Sequence, residues 1–114
     1  MIQLKDARVF NTNSEEFIDL DAYRVQGGYS GLALALASPP AATLAEIKRS
    51  ELKGRGGAAF PTGLKIEAVR NNIEPVRYII CNADEGEPGT FKDRYIMTHS
   101  PFQLLEGITI AAWL

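Results

Sequence analysis

Apolar and polar positions along the chain fall into short blocks separated by glycine and proline, and each block predicts its own element. The opening block alternates briefly at Ile2 and Leu4, continues in Val9-Phe10, and dissolves into polar residues from 11 to 16. Residues 1–26 are therefore read as a lead-in without an assigned element. After Gly27-Gly28, residues 29–37 alternate as a strand would, yet they are built from alanine and leucine, the strongest helix formers, so composition predicts a helix. Ser38-Pro39-Pro40 ends it, because proline lacks a backbone donor and disfavours helical geometry in its predecessor. Thr43 followed by Glu46 reads as a capping box, with Leu44, Ile47 and Leu52 as the buried stripe of a helix ending near Lys53.

A glycine cluster follows, and then residues 64–70 show helical spacing in Leu64 and Ala68, with Pro61-Thr62 as the start signal and Asn71-Asn72 as the close. Glu74-Pro75 marks a turn. Residues 76–81, Val-Arg-Tyr-Ile-Ile-Cys, are β-branched and aromatic enough to predict a largely buried strand. Beyond the loop 82–90, residues 91–97 are predicted helical. Ser100-Pro101 then opens a last helix that runs to Leu114 without a polar or glycine terminator. The expected fold class is α/β.

Composition narrows the function classes. With 46% apolar and 23% charged residues, the 114-residue chain is globular rather than disordered. A net charge of -2 gives no general attraction to nucleic acid or an anionic membrane. Locally, between Glu46 and Arg70, six basic residues face three acidic ones. Cys81 is the single cysteine, so no intrachain disulfide forms and no four-cysteine iron–sulfur cluster is held by this chain alone. No run approaches the roughly 20 apolar residues that span a bilayer, and the expected location is intracellular.

Two constellations carry candidate chemistry. In the first, residues 54–65, Gly54, Gly56, Gly57 and Gly63 allow the backbone to come close to a ligand, while Arg55 and Lys65 add positive charge. That suits a phosphate. The Walker A pattern is excluded, since Leu64 stands where that motif needs lysine; Gly54-x-Gly56-x-x-Ala59 fits the dinucleotide pattern but follows a helix and is interrupted by Pro61. A surface glycine–proline hinge is the plain alternative. In the second, residues 82–94, Asn82, Asp84, Glu85 and Glu87 sit just past the predicted strand, where open α/β sheets gather ligand groups. They would accept hydrogen bonds from ribityl or ribose hydroxyls; a solvated acidic turn is the alternative. Cys81 is read as a small buried strand residue, His99 as a surface residue without a partner, and Trp113 as core or interface.

Together the constellations resemble consecutive signature segments of the NADH-oxidising, FMN-binding flavoprotein subunit of respiratory complex I and its hydrogenase and formate dehydrogenase relatives. The segments are 54–65 and 78–94, and Gly27-Gly28-Tyr29 and residues 47–52 are similar to the family's lead-in. The resemblance implies that residues 1–114 are the N-terminal portion of the FMN-binding domain, incomplete, with the chain ending inside a predicted helix. It implies that Gly54, Arg55, Gly56, Gly57, Ala58, Gly63 and Lys65 surround FMN and the approaching NADH, with Phe60 stacking on the adenine. Asn82, Asp84, Glu85 and Glu87 would contact the flavin, Glu85 taking the catalytic place by tuning the flavin's energy.

The implied reaction passes a hydride from NADH to FMN, with electrons going on to iron–sulfur clusters. The cofactors are FMN and NAD(H), a 4Fe–4S cluster being expected only downstream. The implied partners are NADH and iron–sulfur electron-transfer subunits of a larger complex, without nucleic acid or membrane insertion, and the implied location is cytoplasmic, peripheral to the membrane. Three positions depart from the family pattern: Ala59 replaces a glycine, a small change; Ile66 stands for a tryptophan; and Ala68 stands for a second stacking phenylalanine. The chain alone is expected not to turn over NADH. The rival from another class is a truncated non-catalytic remnant or interaction protein, and a third reading is a simple phosphoanion-binding module.

Overall fold

A computed structural model describes residues 19–114. Six α-helices follow one another: α1 Leu20–Val25, α2 Ser30–Leu36, α3 Pro40–Arg49, α4 Thr62–Arg70, α5 Lys92–His99 and α6 Pro101–Trp113. α3 packs on α4, α6 on both α2 and α5, and α2 on α3. Among the described residues the buried apolar side chains are Ala35 of α2 and Leu44 of α3, at the meeting of these layers. None of the helices is long and apolar enough to cross a membrane.

The helix predicted from the alanine–leucine block is present as α2, and α4 begins after Pro61 and closes at Asn71 as its signals require. α1 falls inside the lead-in, where no element is predicted. Its signal is Asp19, whose carboxylate accepts the Ala22 N–H at 2.8 Å as an N-cap. The first eighteen residues, with the alternation at Ile2 and Leu4, lie outside the described residues.

The capping box at Thr43 is corrected. α3 already starts at Pro40, the first-turn position that suits proline's fixed φ and missing N–H, so Thr43 lies inside the helix. Glu46 bonds Arg49 instead of reaching back to a cap. The helix also ends at Arg49, short of Lys53, where Glu51 turns into the left-handed region at φ 54°. At α6, Pro101 again occupies the first turn, but Ser100 makes no side-chain cap bond.

Residues 76–81 pair with no strand among the described residues, and they are open to solvent: Tyr78 is 79% exposed and Ile80 84%. The burial expected for Cys81 is likewise corrected, since its thiol is exposed. A strand exists through its ladder partner, so this unpaired segment bears on neither side of the α/β expectation.

One helix is capped from far along the chain. Tyr29, at the N-cap of α2, sits at φ 64° and offers no side-chain cap. Glu106 of α6 supplies the acceptors: its carboxylate receives the Tyr29 N–H and the Leu32 N–H, each at 2.9 Å, and the Tyr23 hydroxyl. Burial pushes Glu106 up, but the Tyr23 hydroxyl and the backbone N–H groups outweigh it and hold its carboxyl below the ordinary value. One side chain thereby ties α1, α2 and α6 together. His99 is not the lone surface group expected; its ring stacks on Tyr95 at 4.1 Å between centroids, and Nδ1 lies 3.0 Å from the Tyr95 carbonyl.

Candidate functional site

The glycine segment is a closed loop rather than a loose hinge. Lys53 and Pro61 form an isolated antiparallel bridge, the Gly54 N–H donates to the Phe60 carbonyl at 2.8 Å, and the Thr62 N–H donates to the Leu52 carbonyl at 2.8 Å. Inside it, Gly57 lies at φ 109° and Ala59 at φ 50°. The first needs glycine. Ala59 carries a Cβ in the left-handed region, a conformation glycine adopts without that strain, so alanine here is more than the small change expected.

The acidic segment folds back in the same way. The Asn82 side-chain carbonyl accepts the Asp84 N–H at 3.0 Å, and the Thr90 N–H donates to the Glu87 carbonyl at 3.2 Å with Gly89 at φ 79°. Glu85 then reaches the start of α5. Its oxygens accept the Asp93 N–H at 3.0 and 3.1 Å and the Arg94 N–H at 3.3 Å. Phe91, at the N-cap of α5, makes no side-chain cap bond, so Glu85 satisfies donors the helix start would otherwise leave to water.

The two loops meet across a cavity of about 890 Å³. Arg55 and Gly56 come to it from the glycine loop; Asn82, Asp84, Glu85 and Glu87 come from the acidic loop. These are six of the residues the sequence singled out, brought to one place by segments about thirty residues apart in the chain. Its volume lies within the range of about 300–1,000 Å³ common for cofactor sites. At Gly56 an added Cβ would meet nothing within 4 Å, so the backbone there is open to close approach by a ligand.

The remaining candidates sit elsewhere. Gly54, Gly57, Ala58, Phe60, Gly63 and Lys65 do not line this cavity. Phe60 is 55% exposed, an aromatic face turned to solvent. Gly63 is buried against α3, where a Cβ would come within 2.5 Å of Lys48 Cγ and 3.1 Å of Lys48 Cα, so its smallness serves the α3–α4 contact. Sequence reasoning passed over Phe91, Lys92, Asp93 and Ile96, which complete the cavity wall. Lys92 is held protonated above its ordinary range by its bond to Asp93 at 2.6 Å, with Glu85 at 3.9 Å. The acidic loop and the start of α5 bring four carboxylates, Asp84, Glu85, Glu87 and Asp93, with Lys92 among them, and the glycine loop brings Arg55, a lining that suits a ligand carrying both hydroxyls or ring N–H groups and an anion.

Comparison with known proteins places this arrangement. The family model described as the Nuo51 FMN-binding domain matches residues 47–114, which contain both loops. The chain is 48% identical over 95 residues to an NADH-quinone oxidoreductase subunit of Rhizobium meliloti, covering 82% of this chain and 23% of that one. It is 49% identical over 94 residues to the corresponding NADH-quinone oxidoreductase subunit of Aquifex aeolicus, covering 82% and 22%. Against a subunit of the NADP-reducing hydrogenase of Solidesulfovibrio fructosivorans it is 42% identical over 100 residues, covering 85% and 20%. The chain thus spans about a quarter or less of the length of these curated relatives.

Proposed function

The chain belongs to the Nuo51 FMN-binding domain family, and on that premise we propose that it forms one wall of an FMN site in an NADH-oxidising subunit of a larger electron-transfer complex. The observation that carries this reading is the cavity in which the open backbone at Gly56 and the side chain of Arg55 face Asn82, Asp84 and Glu87. Arg55 and the glycine-loop amides take the anionic end of the cofactor, and the acidic loop accepts hydrogen bonds from its hydroxyls or ring. Phe60, solvent-facing on the same loop, offers the surface on which an adenine stacks.

When bound, FMN supplies the hydride-accepting chemistry, and NADH supplies the hydride. The protein's residues then have placement and electrostatics to provide. The acidic wall raises the cost of negative charge on a reduced flavin, while Arg55 and Lys92 lower it, so their balance sets the flavin's potential. The α/β class belongs to the same proposal: residues 76–81 serve as a strand once paired, which brings the acidic loop to a strand's C-terminal end. Electrons pass on to iron–sulfur clusters, which residues 1–114, with the single Cys81, do not hold by themselves. A cytoplasmic location at the membrane periphery is part of this proposal.

The test is FMN fluorescence quenching by the chain and by Gly56→Val. An added Cβ meets nothing within 4 Å, so the variant is expected to fold; with both proteins shown folded by circular dichroism, weaker quenching reports lost ligand approach. Equal affinities in the two proteins would remove the glycine loop from the site.

A further inference from the structure

We propose that Glu85 is a positioning residue: its carboxylate fastens the acidic loop to the first turn of α5 and shapes the flavin wall through the loop, without touching the flavin itself. The proposal rests on the FMN reading for its ligand arm and on geometry alone for the rest. The contrast among neighbouring carboxylates is the central observation. Asp84 and Glu87 make no side-chain hydrogen bond or ion pair with any described residue and line the cavity. Glu85 lines it too, but its side chain is only 12% exposed and both oxygens are engaged by the Asp93 and Arg94 N–H groups.

The local chain explains why. α5 begins after Phe91, which has neither hydroxyl nor carboxylate, so its first N–H groups lack a local acceptor. Glu85 places a carboxylate acceptor at the N-terminal end of the helix, where the backbone N–H groups point. Its bonds close residues 85–93 into a ring. Glu87 lies within the ring, its carbonyl accepting the Thr90 N–H across the Gly89 turn, and the Asp84 N–H donates to the Asn82 side chain. Loss of the tie frees the segment that carries Glu87 and the residue next to Asp84. A ligand contact at Glu85 would instead have to draw its oxygens off two backbone amides.

The experiment compares the full chain with Glu85→Ala, Glu85→Gln and Asp84→Asn. Amide hydrogen exchange at Asp93 and Arg94 is followed by NMR without flavin, and FMN affinity by fluorescence quenching. Glu85→Ala is expected to speed exchange at both amides by about tenfold or more, the scale of one charge-assisted hydrogen bond, and to weaken FMN binding similarly. Glu85→Gln keeps a carbonyl acceptor, so it restores most of the protection and most of the affinity. Asp84→Asn weakens FMN binding while leaving the exchange unchanged. Unchanged exchange in Glu85→Ala overturns the proposal, and so does an equal loss of FMN affinity in the Gln and Ala variants despite restored protection in Gln. Should the unaltered chain bind no FMN, the flavin reading fails, while the exchange measurement still decides whether Glu85 holds the loop.

Discussion

Glu106 is the only charged residue between Pro101 and Leu114, and its removal provides a sharp test of how the helices are held. Glu106→Ala deletes the acceptor for the Tyr23 hydroxyl, the Tyr29 N–H and the Leu32 N–H at once. A hydrogen bond to a charged group contributes about 1.5–3 kcal/mol when well buried. These are part-buried, so about 1 kcal/mol each, or roughly 3 kcal/mol together, is the expected loss. Against a total of about 5–15 kcal/mol for a domain, that is a large fraction, and at about 4–8 °C per kcal/mol the melting temperature falls by roughly 12–24 °C. Tyr23→Phe removes one of the three bonds and should lose about 1 kcal/mol. The pH dependence follows from the lowered carboxyl value of Glu106. Its contribution is fully present above the unfolded carboxylate value, about 4.3, and is lost as pH falls through the folded one. Urea denaturation followed by circular dichroism at pH 7 and in acid measures both effects. A loss under about 1 kcal/mol in Glu106→Ala, or equal acid weakening of the unaltered chain and Glu106→Gln, would refute the reasoning.

Other substitutions probe separate links. Gly63→Ala should destabilise by about 1–3 kcal/mol in thermal melts, because the new Cβ meets the Lys48 backbone as well as its side chain. Ala59→Gly should stabilise by about 0.5–1 kcal/mol, since glycine relieves a left-handed residue at φ 50° and the gain is reduced by its greater freedom when unfolded. Arg77→Gln should speed amide exchange at Asn71 and Asn72, because the guanidinium holds the carbonyls of Val69, Arg70 and Asn72 at the end of α4. The purified chain with FMN, NADH and ferricyanide should show no turnover, since its cavity is one open wall; FMN-dependent ferricyanide reduction would contradict that.

What the sequence revealed, and what it hid, divides along the range of the interactions. Alanine–leucine content and the prolines at 40, 61 and 101 act within a few residues, and α2, α3, α4 and α6 follow them. The capping box at Thr43 misled because Pro40 begins the helix three residues earlier. Glu106 caps a helix from 77 residues away, beyond any window of local pattern, and Glu85 caps α5 from 8 residues away, outside the three-residue spacing of a capping box. A signal for Glu106 existed: a lone carboxylate on an apolar helix must find donors once it is partly buried. At the site, glycine and acidic motifs marked Arg55, Gly56, Asn82, Asp84, Glu85 and Glu87, and the cavity joins them. Gly63 shared the motif but packs α4 on α3, since spacing alone does not tell a glycine beside a ligand from one beside a helix. Residues 76–81 have a strand's composition, but pairing depends on a partner that composition does not specify.

The central claim, that the glycine and acidic loops together form a flavin-binding wall, is tested most directly by titrating FMN into the isotopically labelled chain and following backbone amide shifts by NMR up to millimolar ligand. The account predicts saturable shifts concentrated at Arg55, Gly56, Asn82, Asp84 and Glu87, around the cavity they share. Shifts absent throughout, or centred on the groove lined by Leu34, Ile47, Ile66 and Ile110 instead, would contradict it.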